Sequence, residues 1–537
     1  MLARVSSGAL FGVDAVRVEV EVDMALGLPF FNVVGLPEGA VRESKVRVIS
    51  ALKNCDFELP QKRVTVNLAP ADIRKEGAAF ELPIALGVLA AAKLLDQAPL
   101  DQYLFAGELS LDGHVKPIKG VLPMAVAARD GGYRGLMVPA ANAAEAALVE
   151  GIEVLPVHHL KEAVAHLSGE EDLAPFERRP AAAPLPRSAM RMDMADVRGQ
   201  DDLKDALELA AAGGHNLLMA GSPGSGKTML ARRLPSILPA MGFEEALEVT
   251  KIYSVLGLLQ EGQSLLTERP FRAPHHTISD AGLVGGGPAI RPGELSMAHH
   301  GVLFLDELPE FRKNVLEVLR QPLEEGVLHL ARANQNVSYP CRVMLVAAMN
   351  PCPCGYFNVP GRVCSCPEAR VLDYHARVSG PLLDRIDITL QTRPVEYHEM
   401  ADQTDGLPSA HYRARVEAGR DRQRHRFTDC PGVHCNAQMP STLARVHCKM
   451  SRRAERMLEL AVRHHALSAR AHDRILKLSR TRADLEGHER IEDVDMQLAI
   501  DCRMLDRKGW LGAKRAPARE KRDYFSRLLE PERDSAE

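Results

Sequence analysis

The chain has 537 residues, more than one hydrophobic core usually supports, so we expect roughly two to four domains. Hydrophobic residues make up 46% and charged residues 26% of the chain, and no apolar run reaches the roughly 18 residues of a membrane-spanning helix. The formal net charge of −4 gives no general attraction to nucleic acid, so such contact needs a local basic surface. These properties exclude a membrane protein and a uniformly basic protein.

The first segment, residues 1–168, predicts an α/β domain. Alternating patterns at residues 16–22 and 64–68 predict strands, and the apolar residues 82–95 predict a helix. Charged residues alternate with valines near the start, in place of the basic and apolar parts of an export signal, which indicates the cytoplasm. Residues 169–190 become rich in proline and alanine without periodicity and predict a linker.

Three further segments follow the linker. Residues 191–395 alternate helices with apolar strands and predict a second α/β domain, residues 396–512 predict arginine-rich helices, and residues 513–537 form a charged tail. The fold class expected is therefore α/β and multidomain, with a helical C-terminal part.

A glycine-rich loop in the second α/β segment joins a short apolar strand to the start of a helix. The loop comprises Gly221, Ser222, Pro223, Gly224, Ser225, Gly226, Lys227 and Thr228. Its glycines let backbone N–H groups converge on a phosphate, Lys227 adds a charge for the β- and γ-phosphates, and Thr228 is expected to hold Mg²⁺. The alternative, a glycine turn without a ligand, does not require the strand and helix that flank this loop.

Two later apolar strands end in polar side chains that suit nucleotide hydrolysis. The strand from residue 301 ends at Asp306, predicted to orient Mg²⁺, and at Glu307, predicted to accept a proton from an attacking water. The strand from residue 342 ends at Asn350, predicted to position that water. The alternative for the acidic pair is a solvated turn after a core strand.

Arginines in the last third of the chain are candidates for phosphate contact. Arg385 follows a tight turn and, supplied by a neighbouring subunit, would neutralise charge at the γ-phosphate in the transition state. The alternative is a surface ion pair with Asp384 or Asp387. Arg470 and Arg474 lie at the start of a C-terminal helix, and either could reach the phosphates from a lid.

Together these motifs resemble AAA+ ATPases of the magnesium-chelatase-like group, and closely resemble the ComM/YifB family of bacterial proteins. The resemblance extends over almost the whole chain and includes residues 31–38, 41–44, 66–72, 213–217, 271–276 and 348–355. It implies an N-terminal Lon-protease-like α/β domain, a central P-loop AAA+ domain with a parallel sheet, and a C-terminal helical lid. It also implies that Asn350 is sensor 1, Arg385 the arginine finger and Arg470 sensor 2.

A Lon-like peptidase needs a serine activated by a lysine. Ala79 stands where the serine is expected, and Leu122 stands at the predicted lysine position. We therefore expect no peptidase activity and a role in assembly or partner contact.

Three segments are candidates for DNA contact. Residues 279–293, with Arg291, and the predicted hairpin at residues 325–339, with Arg332, resemble insertions that point into the channel of ring-shaped relatives. The alternatives are ordinary loops, or a role for Arg332 at the nucleotide of a subunit interface. Residues 413–426 carry six arginines and predict a solvated helix face or a nucleic-acid contact.

The ten cysteines of a cytoplasmic chain are expected to be free thiols or metal ligands. One group has the donor set of a structural Zn²⁺ site, with reduced thiols in a loop as the alternative: Cys352, Cys354, Cys364 and Cys366. Cys430, His434 and Cys435 form a weaker group.

The resemblance implies an ATP- and Mg²⁺-dependent ring, expected to be a homohexamer, that moves single-stranded or branched DNA through its channel. Branch migration during natural transformation, with recombination proteins as partners, is the implied activity. The alternatives are a chelatase-type motor that remodels a partner protein, and an ATP-dependent protease, which the missing serine and lysine disfavour.

Overall fold

The computed structural model describes residues 2–503 with short gaps. The residues outside the described set are 1, 37–38, 59, 76, 178–191, 261–262, 288–289, 333–334, 360, 393–405, 431, 466 and 504–537. The predicted linker from residue 178 onward and the predicted charged tail at residues 513–537 therefore lie outside the described residues. Among the described helices, none combines the length and the hydropathy that a bilayer crossing requires.

The N-terminal unit is built on a mixed sheet of seven strands. Its strands are β1 (Leu2–Phe11), β2 (Asp14–Ala25), β3 (Phe30–Val34), β4 (Arg63–Ala69), β5 (Tyr103–Phe105), β6 (Glu108–Leu109), β7 (Val115–Lys116), β8 (Gly135–Pro139) and β9 (Glu153–Val157). Its helices are α1 (Gly39–Asn54), α2 (Glu81–Ala91), α3 (Gln97–Leu100), α4 (Val121–Asp130), α5 (Ala143–Ala146) and α6 (Leu160–Leu167). The sheet order is β3-β4-β2-β1-β5-β8-β9, and β6 pairs with β7 in a separate ribbon.

The strands and helix predicted in this unit are present. The strand predictions fall within β2 and β4, where valines alternate between the core and the surface. The predicted helix forms α2 but ends at Ala91, because Lys93 turns the chain with a left-handed φ of 67°.

The central unit is built on a five-stranded parallel sheet. Its strands are β10 (Leu217–Ala220), β11 (Phe271–Arg272), β12 (Gly285–Gly286), β13 (Arg291–Pro292), β14 (Val302–Leu305), β15 (Val327–Arg332), β16 (Gln335–Pro340), β17 (Met344–Met349) and β18 (Ile388–Gln391). Its helices are α7 (Asp201–Gly213), α8 (Lys227–Arg233), α9 (Phe243–Leu256), α10 (Asp280–Val284), α11 (Glu294–Met297), α12 (Lys313–Val318), α13 (Pro322–Glu325), α14 (Glu368–Ala376) and α15 (Gly380–Leu383). The sheet order is β11-β14-β17-β10-β18, and β12–β13 and β15–β16 form two antiparallel ribbons outside it.

Helices complete the C-terminal part of the described chain. They are α16 (Ser409–Arg426), α17 (Ser441–His447), α18 (Arg452–His465), α19 (Ala469–Glu486) and α20 (Asp493–Asp501). Short 3₁₀ turns occupy Ala140–Asn142, Met194–Asp196, Leu234–Ser236, Leu308–Glu310 and Asn436–Gln438.

Both faces of the parallel sheet are buried. Along β10, Leu217 and Met219 face a core shared with α7 and the C-terminal helices, whereas Leu218 and Ala220 face a second core on the opposite side. A strand buried on both faces is apolar at every position, which explains the continuous apolar runs in the sequence. The carboxyl ends of the parallel strands meet along one edge, where ligands of open α/β sheets bind.

The N-terminal unit packs on the central unit through α4 and α9. Gly120, which precedes α4, donates its N–H to the carbonyl of Ser254 in α9 at 3.0 Å. The buried carboxylate of Glu145 accepts hydrogen bonds from the Ser254 hydroxyl and, at 3.1 Å, from the N–H of Leu122. Burial raises the pKa of Glu145, so this polar contact lies inside an apolar interface.

Candidate nucleotide site

The glycine-rich loop lies between the carboxyl end of β10 and the start of α8. Gly224 and Gly226 adopt φ values of 78° and 82°, a left-handed conformation that glycine takes without steric cost. Because Gly226 precedes the first turn of α8 without a side chain, it leaves the first N–H groups of that helix available to a phosphate.

Lys227 is buried beneath the loop. Its Nζ donates to the carbonyls of Gly221 at 2.8 Å and Ser222 at 2.9 Å, and lies 3.5 Å from Oδ1 of Asn350. Burial lowers the pKa of Lys227 to about 8, against the opposing charge of Asp306. The Lys227 ammonium group is therefore held by neutral oxygens. When a nucleotide binds, the group can exchange these contacts for contacts with an anionic phosphate.

Thr228 and Asp306 meet although they are distant in the chain. The Thr228 hydroxyl donates to Oδ2 of Asp306 at 2.6 Å, and the N–H of Glu307 donates to Oδ1 at 2.9 Å. A hydroxyl and a carboxylate at one point supply the oxygen ligands that Mg²⁺ prefers, so these residues fit the predicted magnesium site.

Glu307 has a neighbour that the sequence reasoning did not assign. Its side chain is 53% exposed, its φ is 52°, and its Oε2 lies 3.2 Å from Nδ1 of His276. His276 is the last residue of the 271–276 motif. That motif contributes to the family resemblance but predicts no role for His276. The contact fixes the direction of the carboxylate that is predicted to act as general base.

Asn350 follows β17, the strand between β10 and β14. Its position brings Oδ1 to the Lys227 ammonium at the same sheet edge. The sequence-predicted residues Lys227, Thr228, Asp306 and Asn350 thus lie together, and Glu307 borders them.

Arg385 lies at the opposite end of the parallel strands, near their amino ends. It precedes β18, which pairs in parallel with β10, whereas the phosphate loop follows β10. The four residues of β10 alone separate the two ends of the strand by roughly 13 Å. The Arg385 guanidinium is paired with Glu324, not with Asp384 or Asp387, so the predicted surface ion pair is wrong in its partner.

Arg470 lies beside Arg385, at the same end of the parallel strands. Its guanidinium lies 3.4 Å from Oε1 of the same Glu324, and it borders a cavity of about 510 Å³ that Arg474 and Lys477 also line. Arg474 binds Asp387 and donates to the carbonyl of Arg385 at 2.9 Å. This position does not place Arg470 or Arg474 at the phosphate loop of the same chain.

The basic segment at residues 413–426 forms α16 and is committed to internal contacts. The contacts are Arg413 with Ser236, Arg415 with Glu208 and Glu486, Arg420 with Ala211, Arg422 with Asp484, Arg424 with Asp421, and Arg426 with Asn436 and Asp484. Most of these arginines fasten α16 to α7 and α19, so the predicted solvated helix face describes only part of the segment, and the nucleic-acid contact stays a prediction. Arg422 and Arg424 are the exposed residues among these six arginines, and the Arg424 side chain is 56% exposed.

The N-terminal unit carries apolar side chains at both predicted peptidase positions. Ala79 packs with Ala106 and Met124, whereas Leu122 lies in a different cluster beside Val121 and Ala125. Ala79 has no hydroxyl to act as a nucleophile, and neither Leu122 nor the thioether of Met124 can accept a proton as a neutral lysine would. A cavity of about 350 Å³ beside this pair is also lined by residues of the central unit.

The predicted hairpin is present as β15 and β16, and its base packs against the N-terminal unit near Gly12. Arg332 ends β15, but its side chain lies outside the described residues, as do residues 333–334 at the tip. Arg291 is exposed in β13, and it lines the cavity between the two units.

The four cysteines predicted as zinc ligands converge directly after Asn350. Their sulfur atoms all lie within 4.8 Å of one another. Glu248, His299 and His300 form a second cluster in which both histidines approach one carboxylate oxygen, at 2.9 and 2.8 Å. Cys430, His434 and Cys435 do not form such a group within the described part of the chain.

Three family descriptions match consecutive parts of the chain. They are "Subunit ChlI of Mg-chelatase" at residues 20–142, "Magnesium chelatase, subunit ChlI" at 193–400, and "Magnesium chelatase, subunit ChlI C-terminal" at 406–503. The middle match contains the phosphate loop and the whole parallel sheet. That part of the chain is an AAA+-like module of the magnesium-chelatase type, a class that indicates an ATPase using ATP and Mg²⁺.

Full-length relatives narrow this class. The chain is 41% identical to the uncharacterized protein YifB of Escherichia coli strain K12 and 42% identical to the competence protein ComM of Haemophilus influenzae, over 94% of this chain and 98% of each relative. A magnesium-chelatase 38 kDa subunit of Rhodobacter capsulatus is 27% identical over 29% of this chain and 49% of its own length. The chain therefore belongs to the ComM/YifB family of magnesium-chelatase-like proteins.

Proposed function

We propose that this protein is an ATP-driven ring motor that moves DNA and promotes branch migration, with each ATP bound between two subunits. The observation that carries the proposal is the separation of the site residues along β10. Lys227, Thr228 and Asn350 lie at its carboxyl end, whereas Arg385 lies beyond its amino end. In this proposal a second copy of the chain brings Arg385 to the γ-phosphate.

The pairing of Glu324 supports this arrangement. Its carboxylate contacts both Arg385 and Arg470, so it holds two arginines side by side at the edge that a neighbouring subunit would meet. Cations that face the phosphates across a subunit boundary stabilise the charge of the phosphoryl-transfer transition state. In this arrangement Arg470 acts on the neighbour's nucleotide and not on its own.

DNA is the substrate that we propose. A relative named as a competence protein matches nearly end to end, whereas the chelatase subunit matches 29% of the chain. The β15–β16 hairpin stands outside the sheet and carries Arg332 at its turn, and Arg291 is exposed nearby in β13. Repeated around a ring, such cations suffice to follow a phosphate backbone although the chain is slightly acidic.

Protein remodelling is the second candidate, because the chelatase subunit of Rhodobacter capsulatus shares part of the chain. Peptidase activity is not proposed, since Ala79 and Leu122 replace the serine and the lysine that it requires. The N-terminal unit, which packs closely against α9, serves assembly or partner contact in this proposal.

Branch migration of a synthetic four-way DNA junction tests the proposal. Wild-type protein with ATP and Mg²⁺ is expected to convert the junction to forked products, and Lys227→Ala protein is expected not to. Arg332→Ala should lower conversion while retaining ATP hydrolysis without DNA, whereas Arg129→Ala, an exposed arginine paired with Asp130, is the matched control. ATP hydrolysis without binding or conversion of any DNA structure would favour protein remodelling.

A further inference from the structure

We propose that Cys352, Cys354, Cys364 and Cys366 bind one zinc ion, and that the zinc-bound loop holds Asn350 and the phosphate loop in register. This inference is independent of whether the protein acts on DNA.

The sulfur geometry suits a single tetrahedral ion. The Sγ atom of Cys352 lies 3.2 Å from that of Cys354 and 3.7 Å from that of Cys364, and the Cys354 and Cys364 sulfurs are 3.5 Å apart. Zn–S bonds of about 2.3 Å at tetrahedral angles place sulfurs about 3.8 Å apart. The chain therefore brings the four thiols to nearly the spacing of a closed zinc site, and all four are free of disulfide bonds.

Backbone groups support the thiols as they do around bound metals. The N–H of Phe357 points to Sγ of Cys352 at 3.3 Å, and the N–H of Cys366 points to Sγ of Cys364 at 3.4 Å. Such hydrogen bonds stabilise thiolate charge and orient the sulfurs. Gly355 turns the chain between the two cysteine pairs with a φ of 86°.

The loop that carries the four cysteines contacts the nucleotide site on two sides, at Asn350 and at the phosphate loop. Cys352 follows Asn350 by two residues, and His375 contacts the intervening carbonyl of Pro351 at 2.9 Å. On its other side, Gly355 lies so close to the phosphate loop that an added Cβ would be 2.5 Å from Cδ of Pro223. A metal that closes the loop thus fixes the spacing between Asn350 and Pro223.

A loop closed by a structural metal is rigid, whereas four reduced thiols leave it free to open. Opening would separate Asn350 from Lys227, whose atoms are 3.5 Å apart. We therefore expect zinc loss to weaken nucleotide binding without any role of zinc in hydrolysis.

Metal analysis of the full-length protein is the test. We expect about one zinc per chain, released by a thiol-reactive mercurial, and a cobalt-substituted protein with the strong charge-transfer absorption of sulfur ligands. Cys364→Ser and Cys366→Ser should lose the metal and raise the Kd of a fluorescent ATP analogue about tenfold. Cys430→Ser is the matched control and should keep both the metal and the affinity.

Several outcomes would overturn the proposal. Wild-type protein that stays metal-free after purification from zinc-supplemented cells contradicts the site, as does iron in place of zinc, and this measurement does not depend on the folding of any variant. Retention of zinc by Cys364→Ser contradicts the ligand set. Zinc removal that leaves the nucleotide Kd unchanged contradicts the link to Asn350.

Discussion

Asn216 donates its side-chain amide to the carbonyl of Arg385 at 2.9 Å, from the residue immediately before β10. Its Oδ1 accepts the N–H of Leu345 in β17 at 2.8 Å, and its own N–H is bound by buried Asp387 at 3.0 Å. One asparagine therefore fastens the arginine segment to the two strands whose opposite ends carry Lys227 and Asn350.

This arrangement predicts complementation between two inactive variants. Lys227→Ala and Arg385→Ala should each lower ATP turnover by about three orders of magnitude or more, because one loses the phosphate contact and the other the transition-state charge. An equimolar mixture should recover part of the activity, since some interfaces combine an intact loop with an intact arginine. Turnover measured before and after mixing, with assembly monitored by light scattering, decides the matter. Absence of recovery in assembled mixtures would contradict a shared site.

The buried ammonium of Lys227 predicts a pH dependence of nucleotide affinity. Its pKa is lowered to about 8 in the free chain, and a bound triphosphate favours the charged form, so the pKa rises on binding. Below pH 8 the lysine is already charged and affinity is flat; above pH 8 binding takes up a proton, and the Kd should rise up to about tenfold per pH unit. Titrations of an ATP analogue between pH 7 and about 9.5 measure this.

The Lys227→Arg variant provides the control for that titration. Its guanidinium stays charged throughout the range, so any remaining pH dependence belongs to other groups. An equally steep rise in the variant would exclude Lys227 as the source.

His276 is predicted to position Glu307 without touching substrate. Its Nδ1 lies 3.2 Å from the Glu307 carboxylate, so His276→Ala should lower kcat about tenfold and leave the KM for ATP unchanged. His276→Gln, which retains a hydrogen-bond donor, should restore part of the rate. An increase in KM with an unchanged kcat would instead mean that His276 serves nucleotide binding.

The internal contacts of α16 predict a stability difference between neighbouring arginines. Arg426 binds the fully buried Asp484, which also keeps Arg480 at 3.0 Å, so Arg426→Ala should cost about 2 kcal/mol of stability. Arg424 is exposed and pairs with Asp421, so Arg424→Ala should change stability by less than about 0.5 kcal/mol. Thermal denaturation separates the two, and DNA affinity should be unaltered in Arg424→Ala. A loss of affinity there, together with a shallower salt dependence, would instead support α16 as a nucleic-acid contact.

The residues that could be predicted from sequence share a local signature. Lys227 and Thr228 lie in a motif of fixed spacing, and Asp306 and Asn350 each follow an apolar strand, so parallel topology brings them to one edge. The hairpin at β15–β16 was equally readable, because alternation and turn are local properties.

What could not be predicted depends on pairing between distant segments. Glu324 is 61 residues from Arg385, and nothing near either residue indicates that they meet. Likewise Met124 lies in one cluster with Ala79 whereas Leu122 lies in another, since a shift of two positions along a helix turns a side chain toward a different core. Most arginines of α16 look solvated in sequence because their acidic and carbonyl partners lie on other elements.

The opposite ends of β10 have a quantitative consequence for the proposed ring. A subunit altered at Lys227 alone inactivates its own ATP site, and a subunit altered at Arg385 alone inactivates the ATP site of its neighbour, so each removes one active site from the ring. A subunit altered at both residues removes two adjacent active sites. When the double variant is mixed into wild-type protein, it should therefore inhibit ATP-driven activity more than either single variant does at the same mixing ratio. The ratio between the inhibition curves indicates how many consecutive inactive sites the motor tolerates.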